Sequence, residues 1–86
     1  MPVISRFYGI TVHMYYDDHA PPHFHADYAE DELIVGISPI TILKGKSSAR
    51  VRSMTIEWAG LRQVDLLENW ERARRGESME PIPPLD

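Results

Sequence analysis

Eighty-six residues with a formal net charge of −4 make one small domain, close to the size below which a chain needs help to fold. With 43% hydrophobic and 26% charged residues the composition is that of a globular protein, and the absence of cysteine excludes disulfides, iron–sulfur clusters and thiolate zinc sites. Any metal must then be held by histidine and carboxylate. The negative charge gives no support to nucleic-acid binding, which is driven by phosphate neutralisation. Arg50 with Arg52, and Arg72 with Arg74 and Arg75, are local basic patches all the same. The opening MPVISRFYGI has no apolar run long enough for a secretory signal or a membrane span. A cytoplasmic protein without a membrane partner is therefore expected.

Gly9 to Tyr16 alternates strictly. Ile10, Val12, Met14 and Tyr16 share one face, and Thr11, His13 and Tyr15 share the other, which predicts a strand. Asp17 to Pro22 interrupts it, because proline forbids a regular central ladder. His23 to Tyr28 alternates again, Phe24, Ala26 and Tyr28 against His23, His25 and Asp27. Leu33 to Ile37 reads as a third strand and Thr41 to Leu43 as a short fourth, with Ser38-Pro39 as the turn between them. Short connections suit hairpins, so the expected sheet is an antiparallel meander.

The period changes after Ser47 and Ser48, either of which can cap a helix. Val51, Met54, Trp58, Leu61, Val64, Leu67 and Trp70 recur every three or four positions, and Gly76 is the expected stop, after arginines that suit a helix C-terminus. One straight helix from Ser48 to Arg75 would be about 42 Å long at ~1.5 Å per residue. Two outcomes fit: a bend or break near Ala59-Gly60, giving one long bent helix or two helices, or a long helix that packs on another chain; we favour the break into two helices. The fold class is α+β, a meander of three to four strands over about residues 5–44 and the helical segment over about 48–75 packed on one face. Residues 1–76 form the domain, and 77–86, with three prolines, form an extended tail.

The chemistry-bearing residues are concentrated in Asp17 to Ala26, DDHAPPHFHA, the side chains that bind metals and move protons near neutral pH. If the first two strands form a hairpin, a register that keeps the apolar residues together collects His13, Tyr15, His23, His25 and Asp27 on the opposite face. His23 and His25 then project from one face with their bases roughly 6–7 Å apart. Three readings follow. A divalent metal can be held by His13, His23 and His25, with Asp as a further ligand. Without metal, His23, His25, His19 and Asp18 can act as general acid and base. In the third, the imidazoles merely line a solvated strand, paired with Asp17, Asp18 or tyrosine hydroxyls. Trp58 and Trp70 read as core or interface anchors, and with Leu61 they form the expected interface.

The segments ISRFYGI (Ile4 to Ile10), MYYDDHAPPHFHA (Met14 to Ala26), EWAGL (Glu57 to Leu61) and LLENWERARRG (Leu66 to Gly76) together resemble the bacterial DUF4160 family over nearly the whole chain. Gly60 departs from the charged residue expected in a family helix. The resemblance implies context more than chemistry: a component of a toxin–antitoxin-like two-gene module. On that reading the protein binds a small cognate protein encoded nearby, or a second copy of itself. The alternative function is a small His-dependent hydrolase, metal-assisted or not, such as a ribonuclease.

Overall fold

A computed structural model describes residues 2–86. Five strands come first: β1 (Val3–Phe7), β2 (Ile10–His13), β3 (His23–Tyr28), β4 (Asp31–Ile37) and β5 (Ile40–Gly45). Two helices follow, α1 (Ala49–Leu61) and α2 (Gln63–Arg74). The strands form one antiparallel sheet in the order β1-β2-β3-β4-β5, so the expected meander holds with one strand more than the three to four expected.

The additional strand is β1. Its sequence, VISRF, hides the alternation because the pairing with β2 slips between Val3 and Ser5, a bulge that shifts side chains out of period two. Tyr8 and Gly9, with φ of 48° and 83°, form a two-residue hairpin between the paired Phe7 and Ile10. A Cβ at Gly9 would also come within 3.0 Å of the Tyr28 ring. The second strand is shorter than its alternation predicts. It ends at His13, and Tyr16, expected on the core face, is exposed.

One face of the sheet carries Ile10, Val12, Phe24, Ala26, Leu33 and Val35, all buried beneath the helices. Trp58 of α1 is the centre of this core, with its ring 5.2 Å from Phe7 and 5.6 Å from Phe24. Burying an aliphatic or aromatic side chain of this kind contributes about 1.5–3 kcal/mol. Both tryptophans lie inside the fold, Trp58 fully and Trp70 at 2% exposure, so neither is free to anchor an interface.

Ser48 caps α1, its side chain accepting from the Val51 N–H at 3.2 Å. At the far end Gly76, with φ of 74°, closes α2: its N–H donates to Ala73 O, and Glu77 N–H donates to Arg72 O. The helical segment breaks into two helices, the favoured outcome, at Arg62 (φ −117°, ψ 21°), two residues beyond Gly60. The expected stripe fails in the same place. Buried positions run Val51, Thr55, Trp58, Ala59, then Leu66, Asn69, Trp70, Ala73, while Leu61 and Val64 are 66% and 70% exposed. Between the two runs Gln63 faces the sheet instead, and its side-chain amide donates to Ile37 O at 2.7 Å.

The proline-containing tail is extended and pinned. Ile82 N–H donates to Ile4 O on the edge strand (2.7 Å), and the Trp58 indole N–H donates to Pro83 O (2.9 Å). Buried Asn69 holds both the carbonyl and the N–H of Glu80. The tail thereby delivers Ile82 into the core. No helix among the described residues is long and apolar enough to cross a membrane.

Candidate functional site

Alternation along β2 and β3 separates chemistry from core. Val12 pairs with Ala26 and, one step on, His13 pairs with His25, a register of the parity that the apolar pattern predicts. The next hairpin places Glu32 directly opposite Asp27. Two imidazoles and two carboxylates therefore share the sheet face turned away from Phe24.

That face is not a wet one. His13 is 2% and His25 9% exposed. Their rings stack in parallel, with centroids 5.2 Å apart and planes 8° off parallel. Tyr15 stands edge-on to both, at 5.3 and 4.7 Å, and shields them from water. His23, at the start of β3, meets His25 at 62° (5.4 Å) and rests against Trp70 of α2 at 5.2 Å. The core tryptophan thus supports a site ring from behind.

Asp18 joins the two ends of the cluster. Its turn is set by Asp17, with φ of 56°, a conformation that Asp tolerates better than most residues. Pro22 O then accepts from Ile37 N–H at 3.1 Å and ties the Pro-Pro segment to β4. One Asp18 oxygen, Oδ2, lies 2.9 Å from His23 Nε2 and 3.6 Å from His25 Nε2. The other, Oδ1, accepts from His19 N–H at 2.8 Å. On the far sides of the rings, His23 Nδ1 is 2.7 Å from Pro21 O and His25 Nδ1 is 3.2 Å from Glu32 Oε2. His13 Nδ1 faces Asp27 at 3.5 Å. The ring nitrogens His13 Nε2 and His25 Nε2 are buried with no hydrogen-bond partner among the described residues.

Charges follow from these contacts. Burial pushes the Asp18 carboxyl up, but the His19 N–H, the His23 charge and the nearby His25 and His23 rings outweigh it and hold Asp18 below the ordinary value. Burial pushes His13 down, and neighbouring His25 adds to this against the opposing pull of Asp27. Burial also lifts Asp27, helped by the carboxylate of Glu32 across the ladder and opposed by His13. Like charges directly opposite on a sheet repel.

The family model for a domain of unknown function, DUF4160, matches residues 9–71. The chain belongs to the DUF4160 family. No curated protein and no solved structure matches it. The span matched by the DUF4160 model contains every side chain of this cluster, whereas β1 and the tail, which pair with each other through Ile4 and Ile82, lie outside it.

In this DUF4160 chain the sequence-predicted residues separate into distinct roles. His23, His25 and Asp18 converge. His13 stacks on His25 but does not meet His23, so the three histidines do not point at one centre. His25 is instead common to two sets with ligand atoms at metal-binding distance, Asp18 with His23 and His25, and His13 with His25 and Glu32. His19 is exposed and contributes its backbone N–H. Glu32 was not singled out from sequence. The signal for it was available: a two-residue turn at Ala29-Glu30 sets Tyr28 against Asp31 and hence Asp27 against Glu32.

Proposed function

We propose that this protein is a small hydrolase whose acid–base centre is Asp18, His23 and His25, with an RNA phosphodiester as the substrate class. The observation that carries it is the single Asp18 oxygen shared between two imidazole nitrogens. A carboxylate placed so can orient one ring and stabilise it as a cation, leaving the other ring as the base. A groove of about 560 Å³ lined by Tyr16, Asp17, Ala73, Arg74, Arg75 and Gly76 begins at the residues preceding Asp18. Arg75 is held by Glu77, and exposed Arg74 gives the groove a cation suited to a phosphate.

The test is cleavage of single-stranded RNA, and of a chromogenic phosphodiester, by the purified full chain. His23→Ala and His25→Ala should each lower the rate about 100-fold or more, with folding checked by circular dichroism. His19→Ala should stay within about twofold, because only its backbone enters the site. Activity that survives the double His23→Ala, His25→Ala change would remove the reading.

A second reading, a partner protein in a toxin–antitoxin-like pair, is favoured by Leu61 and Val64, which are exposed at the helix junction. With the tryptophans inside the core, Leu61 is what remains of the expected interface, and Val64 extends its exposed apolar surface. Co-expression with the neighbouring gene product should give a complex that Leu61→Asp disrupts. Failure of the two chains to co-purify would remove that reading.

A further inference from the structure

The Asp18, His23 and His25 cluster contains an electrostatic conflict that its protein atoms leave unresolved. Pro21 O can only accept, so the His23 Nδ1 beside it carries the hydrogen. An ionised Glu32 imposes the same on His25 Nδ1. In neutral rings both Nε2 atoms are then lone pairs, and both face Asp18 Oδ2, itself an acceptor. Three acceptors converge with no donor among them. A proton on His23 would satisfy the 2.9 Å contact alone. His25 Nε2, on a ring buried to nine-tenths, would keep no partner.

We propose that Asp18 Oδ2, His23 Nε2 and His25 Nε2 bind one first-row divalent metal ion of the zinc type, with a coordination position left open for water. Ligand atoms around a tetrahedral ion with bonds of about 2.1 Å are about 3.4 Å apart. The two separations from Asp18 Oδ2, 2.9 and 3.6 Å, straddle that value. The outer contacts complete the pattern, because a metal-bound histidine donates its other N–H to a carbonyl or carboxylate. Pro21 O and Glu32 occupy those two places, and the His19 N–H occupies the spare oxygen of Asp18. Two imidazoles and one carboxylate suit zinc-like ions rather than magnesium or calcium.

The overlapping set of His13, His25 and Glu32 is the weaker choice on geometry. Ring lone pairs lie in the ring plane, and the planes of His13 and His25 are 8° off parallel, so they do not intersect near either ring. The planes of His23 and His25 cross at 62° and can meet at an ion.

This inference rests on the hydrolase reading and changes it in one respect: with their Nε2 lone pairs on the ion, His23 and His25 serve as ligands, and a metal-activated water at the open position takes the place of the acid–base pair. The test keeps the two apart. The full chain, purified without a histidine tag and stripped with chelator, is titrated with Zn²⁺ by calorimetry and with Co²⁺ by visible absorption. One ion per chain should bind, with the absorption of a four- or five-coordinate site. Asp18→Asn, His23→Ala and His25→Ala should each weaken uptake by at least about 100-fold, and Glu32→Gln by about tenfold through His25. His13→Leu should change it little. Asp18 lies in an exposed turn, so Asp18→Asn reports on the site even if a histidine variant fails to fold. Zinc uptake without hydrolysis would support the metal site and remove the hydrolase. No Zn²⁺ uptake, uptake indifferent to Asp18 and His23, or chelator-resistant hydrolysis by a chain that takes up no zinc would each overturn the metal site.

Discussion

The two faces of the sheet are made by the same strands and are both buried at the centre, yet they are built on opposite terms. On the helix side Val12, Phe24 and Ala26 are covered by Trp58 and its apolar neighbours, and Asn69 and the Trp58 indole, polar groups buried with them, have hydrogen-bond partners. On the other side His13 and His25, one residue removed, are covered by Tyr15, each other, His23 and the carboxylates around them. The first arrangement stabilises the fold in proportion to the area removed from water. The second buries ring nitrogens that have no partner among the described residues and sets carboxylates facing each other, which costs stability. Such costs concentrate at functional sites, where a group bound from outside resolves them.

Several substitutions break or sharpen this contrast. The largest effect should come from Trp58→Ala, which empties the centre of the helix side and removes the bond to Pro83. A loss of about 3–5 kcal/mol is expected, a large share of the stability of a domain of this size, read as a shift of the urea midpoint. Neighbouring residues give the sharpest comparison. Val12→Ala should lose about 2 kcal/mol, whereas His13→Leu, which removes a buried unpartnered nitrogen, should leave the metal-free protein unchanged or stabilised by about 1 kcal/mol. A loss above that of Val12→Ala would mean that the outer face is structural.

The pH response should differ between the faces as well. His13 is held below its ordinary value in the folded chain, so the unfolded chain binds the proton first. Its contribution to stability is complete above the unfolded value of about 6.5 and is lost as pH falls through the folded one. In chelator, the melting temperature of the wild-type chain should therefore fall on acidification below about pH 6.5. His13→Leu should show a flatter profile, and equal slopes would remove the argument. Asp18 acts lower. Held below its ordinary value, it contributes above about pH 4, and that contribution is lost on further acidification. Tyr15→Ala should have the smallest effect on stability, below about 1 kcal/mol for a half-exposed ring. It should nonetheless open the histidine stack to water, visible as altered imidazole resonances in NMR titration.

How much was legible beforehand differs by element. Period two in ITVH and HFHADY, with the demand that apolar residues meet, was enough to put His13, His23 and His25 on one face, while the direct pairing of His13 with His25 is a fact of the folded register. Ser48 and Gly76 marked the helical ends for reasons of local hydrogen bonding alone. Elsewhere local signals misled. The bulge in β1 concealed a strand, because one inserted residue reverses side-chain parity. Leu61 and Val64 fit a helical stripe in sequence, but the buried face of α1 runs through Val51, Thr55, Trp58 and Ala59, and after the break at Arg62 that of α2 starts at Leu66. Glu32 stayed unnoticed because it comes from a third strand.

The sequence by itself determined which side chains share a face, since backbone geometry alternates them whatever surrounds the strand. It also limited any metal site to imidazole and carboxylate, since there is no thiol to offer. Only the tertiary structure decided which members of DDHAPPHFHA meet. Asp18 reaches His23 and His25 because the Pro-Pro segment is tied to the end of β4, and Trp70 backs His23 because α2 packs there. His19, in the same ten residues, was left outside. Sequence proximity sets no direction for a side chain in a turn; the contacts that fold the turn back onto the sheet do.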